Sequence, residues 1–114
     1  MAPIRADSRT DLLRGTLDLL ILQTLELQPL HGLGVAERIR QVTRGTFFVP
    51  AGSLFPALHR LEQQGWIRGE WAASDENRRI KAYGLTQAGR RQLVAEKRNW
   101  TRIVTAMTQV LESR

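Results

Sequence analysis

One stretch of the chain, PAGSLFPALHRLEQQGWIR at positions 50–68, limits the possible folds more than any other. Its leucines Leu54, Leu58 and Leu61 recur at the spacing of a single helical stripe. The opposite side of such a helix is small near its start and then rich in hydrogen-bonding and positive groups, without a carboxylate. This opposite side carries Gly52, Pro56, His59 and Gln63, with Ser53 and Arg60 on its flank. Gly65 then favours a helix end, and an extended run begins after it.

A short helix with one apolar face and one polar face, leading into a strand, suits insertion into a DNA groove. On this segment alone, an ordinary surface helix is an equal alternative. The charge of the whole chain shifts the balance, because 17 Lys and Arg residues face 11 acidic ones, a formal charge of +6. Such an excess favours a polyanionic partner, either nucleic acid or an anionic membrane surface. Arginine accounts for most of the cations, and its planar fork can hold a phosphate or a guanine edge through two bonds.

Several other classes of protein are disfavoured by the sequence. It has no cysteine, which excludes disulfides and thiolate metal sites. No run approaches the roughly 18 apolar residues of a membrane span, and the start lacks the apolar segment of a signal peptide. His31 and His59 lie on different segments without a paired carboxylate to complete a catalytic site. We therefore expect a cytoplasmic protein that is not an enzyme, does not enter membranes and needs neither cofactor nor metal.

The two histidines have separate interpretations. His31 precedes a glycine and is interpreted as a turn residue. His59 lies on the outward face of the central helix, where it is either a DNA contact or a solvated side chain.

The first third of the chain predicts a short arm and a broad helix. Residues 1–8 are polar and mixed in charge, and we expect a flexible N-terminal arm. From Arg9 to Leu27 the apolar stripe is wide, so this helix is expected to contact apolar surface on more than one side. We favour core on one side and a dimer partner on the other over a helix enclosed by its own core. Gly15 weakens the helix by about 1 kcal/mol relative to alanine, and close packing against a neighbour would explain it.

The middle of the chain predicts a winged helix-turn-helix domain over residues 9–86. A second helix is expected over 33–42, followed by an extended segment at 47–49 and then the central helix. Two β-like runs, 66–71 and 79–86, flank a polar, turn-rich link and indicate a hairpin. As the wing of such a domain, the hairpin would rest its cations on the phosphate backbone. These cations are Arg68, Arg78, Arg79 and Lys81.

The C-terminal part predicts one long helix over residues 87–112, with Thr86 suited to cap its start. Apolar residues recur there every seven positions, with companions in the intervening turns. The set is Leu93, Trp100, Ile103, Val104, Met107, Val110 and Leu111. A helix of about 25 residues extends about 38 Å, longer than so small a body needs. We therefore interpret residues 87–114 as a dimerisation helix, the alternative being a helix folded back on its own core.

Together these expectations give a mainly α fold with a small β-hairpin, a winged helix-turn-helix plus a long C-terminal dimerisation helix. Four segments stand in order along the chain: LLRGTLDLLIL (12–22), PLHGLGVAERI (29–39), GSLFPALHRLEQQGWI (52–67) and NRRIKAYGLTQAG (77–89). In this order they resemble the PadR family of bacterial transcriptional regulators, in its small branch with a single C-terminal helix. The resemblance implies a homodimer that represses genes by binding operator DNA and is released by a small molecule or a stress signal.

The sequence departs from the family pattern at places that bear on DNA contact. Phe55 replaces the usual tyrosine of a Leu-Tyr-Pro triplet, which tends to lie at the DNA, so that hydroxyl is absent here. Pro50 stands where a polar cap, often serine, is usual, and the wing has lost one arginine. Pro56 lacks a backbone donor and is compatible with the central helix only if that helix begins near Gly52 or Ser53.

A two-fold dimer is expected to bind double-stranded DNA at an inverted repeat, with half-sites about one helical turn apart. The expected DNA contacts are Ser53, Phe55, Pro56, His59, Arg60, Gln63, Arg78, Arg79 and Lys81. The alternative is a winged-helix protein-interaction module that does not bind DNA.

Trp100 occupies the middle of the heptad row, where leucine or isoleucine is usual. Two copies meeting near a dimer axis would border a flat slot suited to a planar aromatic effector. Its walls would be Leu93, Trp100, Ile103, Val104 and Met107. In the family that the chain resembles, a tryptophan at the matching place lines the drug-binding pore of a multidrug-responsive repressor. The alternative is that Trp100 simply fills the dimer seam.

Overall fold

Three helices and a β-hairpin form the body of the molecule, and a fourth helix extends from it. The computed structural model describes residues 3–7 and 11–114. Within them the elements are β1 (Ile4–Arg5), α1 (Asp11–Thr24), β2 (Leu30–His31), α2 (Gly32–Val42), β3 (Phe47–Phe48), α3 (Ala51–Gln63), β4 (Ile67–Ala73), β5 (Arg79–Leu85) and α4 (Gln87–Glu112). The predicted fold class, mainly α with a hairpin wing and a long C-terminal helix, is confirmed.

The core lies where α1, α2 and α3 pack together. The three leucines of the predicted stripe on α3, Leu54, Leu58 and Leu61, are all fully buried there. The buried apolar set is Ala6, Leu17, Ile21, Leu22, Leu25, Val35, Ile39, Val49, Leu54, Ala57, Leu58, Leu61, Ile67, Tyr83 and Leu93. Because interiors are close-packed, this shared cluster fixes how α3 sits on the other two helices.

The wing is an antiparallel hairpin of β4 and β5, with Ile67 opposite Leu85 and Trp71 opposite Lys81. Directly opposite residues share a face, so Trp71, Lys81 and Tyr83 all lie on one side of the hairpin. The two-residue strand β2 joins the free edge of β5 and was not predicted. It anchors the wing to the loop between α1 and α2.

The start of α3 differs slightly from the prediction. The helix begins at Ala51, and the carbonyl of Pro50 accepts hydrogen bonds from the backbone N–H groups of Ser53 and Leu54 at 3.0 and 2.9 Å. Pro56 therefore lies in the second turn, where its missing N–H leaves the carbonyl of residue 52 without a helical partner. Gly65, with a positive φ of 78°, follows the end of the helix as expected.

The N-terminal segment differs from the expected flexible arm where the structure describes it. Ile4–Arg5 pairs in parallel with Phe47–Phe48, the strand that leads into α3. The N–H of Ala6 donates to the carbonyl of Phe48 at 2.9 Å, and the side chains of Ala6 and Asp7 are buried. Residues 4–7 are therefore part of the body, while residues 1, 2 and 8 of the expected arm lie outside the described residues.

Thr86 caps the long helix α4, because its hydroxyl accepts a bond from the N–H of Gly89 at 3.0 Å and donates one to the carbonyl of Gly65 at 2.7 Å. α4 begins against the body and buries Leu93, but from Arg98 onward every side chain except the half-buried Ile103 is exposed. α1 ends at Thr24, earlier than predicted. Among the described residues, no helix combines the length and apolarity that a membrane span requires.

Candidate nucleic-acid interface and C-terminal cavity

The outward face of α3 presents an uncharged, hydrogen-bonding surface. Phe55, Pro56, His59 and Gln63 are exposed, and Ser53 is half-buried at the start of the helix. The Phe55 ring lies over Gly32, where an added Cβ would approach its edge to 2.7 Å. Phe55 is thus held by packing, while 45% of it remains exposed beside the polar residues. Five of the predicted DNA contacts therefore share one accessible face.

Arg60 is not free on that face, in contrast to the prediction. Its guanidinium pairs with the carboxylate of Asp18 on α1, and both side chains are partly buried. Burial raises the pKa of Asp18 above its ordinary value, although the contact with Arg60 opposes that shift. The pair holds α3 against α1, so Arg60 is better described as a link between helices than as a DNA contact.

Three arginines remain accessible on the wing, and Arg68 lies on β4, on the opposite face of the hairpin from Trp71. Arg78, at the hairpin turn, is largely exposed and lies 3.8 Å from the carboxylate of Glu76. The guanidinium of Arg79 stacks over the ring of Trp71, 4.5 Å from its centroid. Trp71 is itself 59% exposed, and no sequence pattern indicated a role for it. Trp71 and Arg79 are diagonal neighbours because Trp71 pairs with Lys81 and Ala73 pairs with Arg79. This strand register depends on the type of turn in the hairpin, which the sequence does not specify.

Lys81 also differs from its prediction as a phosphate contact. Its ammonium Nζ lies 2.9 Å from Oε1 of Glu62 near the C-terminal end of α3. The bond from Lys81 lowers the pKa of Glu62 below its ordinary value against the effect of burial, and the backbone N–H of Gly69 lowers it further. The same contact raises the pKa of Lys81. Both groups are therefore charged near neutral pH and bound to each other.

The predicted effector residues are divided by the structure. Trp100 and Ile103 line a cavity of about 140 Å³ between α4 and α1. Its other lining residues, which the sequence did not indicate, are Gly15, Thr16, Leu19, Glu96 and Asn99. Leu93 is buried in the core and is unavailable to such a site, because α4 packs against the body at its level. Val104 and Met107 are exposed on α4 and lie outside the cavity.

Taken together, the fold defines a winged helix-turn-helix protein with an open α3 face beside a basic wing. The chain belongs to the PadR-like family of transcriptional regulators, since the model of that family matches residues 21–95. Members of the family are transcriptional regulators, not enzymes, which confirms that expectation.

Solved structures of regulators are similar along most of the chain. A PadR family transcription regulator from hypervirulent Clostridium difficile is 31% identical, with 83% of this chain and 97% of that chain covered and a TM-score of 0.73. A PadR-like transcriptional regulator from Bacillus cereus is 26% identical, covering 92% and 100%, with a TM-score of 0.76. A transcriptional regulator from Clostridium thermocellum is 23% identical, covering 88% and 97%, with a TM-score of 0.80, a likeness of fold.

Proposed function

We propose that this protein is a cytoplasmic homodimeric repressor that binds operator DNA through residues 9–86 and dimerises through residues 87–114. The observation that carries the proposal is the exposed face of α3, which offers His59 and Gln63 without a carboxylate among them. Amide and imidazole groups can read base edges in the major groove. PadR-like regulators bind DNA and commonly dimerise, which supports the same conclusion.

The wing supplies the second part of the DNA surface. Arg78 and Arg79 are exposed on the hairpin, and Lys81 joins the face that carries Arg79 to the end of α3. Cations on a wing beside a groove-binding helix are placed to meet phosphates, which position the protein without specifying sequence. The base-reading and phosphate-binding roles are therefore assigned to different elements.

Dimerisation is supported by the large exposed apolar residues on the projecting half of α4. They are Trp100, Val104, Met107, Val110 and Leu111, and Met107 is 56% exposed. A helix end that projects alone with such a row is stabilised when a partner covers it. A two-fold dimer presents two α3 helices, so the operator is expected to be an inverted repeat with half-sites about one turn apart.

The proposal is tested by fluorescence anisotropy with labelled duplexes from the region upstream of its own gene and with random duplexes of equal length. We expect tighter binding to one upstream duplex, with affinity that falls as salt rises, since phosphate contacts release counterions. Loss of binding after the inverted repeat is scrambled would support specific reading. Equal, salt-insensitive or absent binding to every duplex would favour the protein-interaction alternative.

The cavity at Trp100 is proposed as half of an effector site. At about 140 Å³ in one protomer it is smaller than typical ligand sites, and a second copy would enlarge it. Its Glu96 carboxylate and aromatic ring suit a planar aromatic cation. Binding there would change the spacing of the two α3 helices and release DNA.

The effector site is tested by titrating planar aromatic cations and following tryptophan fluorescence in the parent and in Trp100→Phe. Trp66 and Trp71 also emit, so this variant separates their signal from that of Trp100. We expect binding that weakens in Trp100→Ala while the dimer persists. Equal affinity in parent and Trp100→Ala would mean that Trp100 only fills the seam.

A further inference from the structure

We propose that Glu62 is a positioning residue that fixes the angle between α3 and the wing, and that Lys81 serves this carboxylate and not a DNA phosphate. This inference rests on the proposed DNA-binding function. The contact among Glu62, Lys81 and Gly69 would hold α3 and the wing in the relative orientation at which both contact the same duplex.

The two oxygens of Glu62 bind the two strands of the wing separately. Oε1 accepts a hydrogen bond from Nζ of Lys81 on β5 at 2.9 Å. Oε2 accepts one from the backbone N–H of Gly69 on β4 at 3.1 Å. A single carboxylate at the end of α3 therefore joins both strands, and the side chain is only 29% exposed. Hydrogen bonds to charged groups are stronger than those between neutral groups, so this contact is a firm link.

Gly69 is the residue that makes the link possible. A Cβ added there would lie 2.2 Å from Cε of Lys81 and 2.9 Å from Oε2 of Glu62. Any larger residue would displace the lysine stem and the carboxylate together. The absence of a side chain at this position of β4 thus creates the space in which the ion pair forms.

The surroundings of Lys81 oppose a direct role at the phosphate backbone. Its ammonium lies 5.4 Å from the centroid of Tyr83 and 5.7 Å from that of Trp71. Only 26% of the side chain is exposed. Reaching a phosphate would require leaving the carboxylate and both rings, whereas Arg78 and Arg79 are already exposed.

Through this contact, the recognition of bases by α3 is expected to depend on how the wing binds the DNA phosphates. After α3 the chain reaches β4 through residues 64–66, with a left-handed glycine among them. The bonds of Glu62 add a second connection between the same two elements. Without them, α3 and the wing are expected to meet one duplex in correct register less often, so specific binding falls more than random binding.

The DNA test compares Lys81→Met, Glu62→Gln and the double variant with the parent. The double variant keeps the parent's net charge, which holds the general attraction to DNA constant. Each single change should weaken operator binding about tenfold, and the double variant no more than either one, as expected for a directly bonded pair. The slope of log affinity against log salt should stay at the parent value in the double variant. A slope lower by about 1 whenever Lys81 is absent, in the double variant as well as in Lys81→Met, would make Lys81 a phosphate contact and overturn the inference.

A second measurement needs no DNA. The ¹H–¹⁵N resonance of the Gly69 amide should titrate with Glu62, whose titratable neighbours are Lys81 and His59. We expect its midpoint below the ordinary glutamate value in the parent and a higher midpoint in Lys81→Met. An amide that does not respond to pH, or an unchanged midpoint, would show that the contact does not exist. If the Gly69 amide behaves as expected but the parent binds no duplex, the contact stands and its role in DNA recognition is refuted together with the proposed function.

Discussion

The absence of a side chain at Gly89 allows the start of α4 to pack closely against the wing. An added Cβ would lie 1.9 Å from the carbonyl oxygen of Trp66. That oxygen also accepts the backbone N–H of Thr86 at 3.1 Å, so it cannot move without breaking a second bond. The junction of wing and long helix therefore depends on this residue as much as on the Thr86 cap.

We expect Gly89→Ala to lower the free energy of unfolding by about 1–3 kcal/mol, the usual cost of forcing extra volume into a packed site. Urea denaturation followed by circular dichroism measures it. Gly52→Ala is the matched control, because Gly52 likewise lies in a helix but, unlike the buried Gly89, is exposed. A Cβ at Gly52 would meet no atom within 4 Å among the described residues. That control should keep the parent's stability or gain slightly. Equal midpoints for both variants would mean that the carbonyl of Trp66 can shift at little cost.

At the scale of single elements, α3 is expected to carry sequence preference. His59 and Gln63 are both exposed on its outward face, one turn apart. The double change to alanine should weaken operator binding by roughly 1–3 kcal/mol for each base edge that is no longer read, with a smaller effect on random duplexes. Anisotropy titrations on both kinds of DNA measure the difference. An equal reduction on the two would place these residues away from base edges.

The wing should behave in the opposite way. Arg79→Ala is expected to weaken binding to every duplex alike and to reduce the salt slope by about 1, because one phosphate contact is removed. Arg102→Ala is the matched control, since this arginine is exposed on the projecting half of α4, away from the wing. An unchanged salt slope in Arg79→Ala would show that Arg79, stacked on Trp71, does not contact a DNA phosphate.

The sequence predicted elements with a repeating pattern and missed contacts between distant residues. Periodicity located the apolar stripes of α3 and α4, and turn residues located the wing. The strands β1 and β2 have two residues each, too short for any period, and pair with segments about 40 and 50 residues away. Arg60 and Lys81 are both predicted DNA contacts, but their partners Asp18 and Glu62 lie 42 and 19 residues away. A pattern in one helix cannot show such partners.

Leu93 illustrates the same limit at the start of α4. It shares the seven-residue spacing of Trp100 and Met107, and on that ground was predicted to face an effector pocket. In the structure it is buried in the core, whereas Met107 is exposed. The start of this apolar row therefore packs against the body of its own chain, whereas its later part is exposed on the surface. Spacing alone does not show where that change occurs.

At the scale of the whole molecule, the projecting half of α4 determines the shape. The molecule measures 60 Å along its longest axis and 24 Å along its shortest. The exposed part of α4 is also positively charged, because it carries Arg98 and Arg102 and is followed by Arg114. An apolar row with cations on the other side of the helix is compatible with a two-fold seam in which the rows meet and the charges remain in solvent.

Met107→Glu is expected to convert the proposed dimer into a monomer. A carboxylate in the seam would be buried without a partner, at a cost of several kcal/mol, and the two-fold relation would place a second one nearby. Gln109→Glu adds the same charge on the opposite side of α4, about 200° away around the helix, and should remain dimeric. Sedimentation over a range of concentrations distinguishes the two. The monomer should also bind the operator more weakly, because the two half-sites would no longer be engaged by one linked molecule. A Met107→Glu protein that sediments like the parent would place the dimer seam elsewhere, while equal dissociation of both variants would mean that added charge, and not its position, separates the subunits.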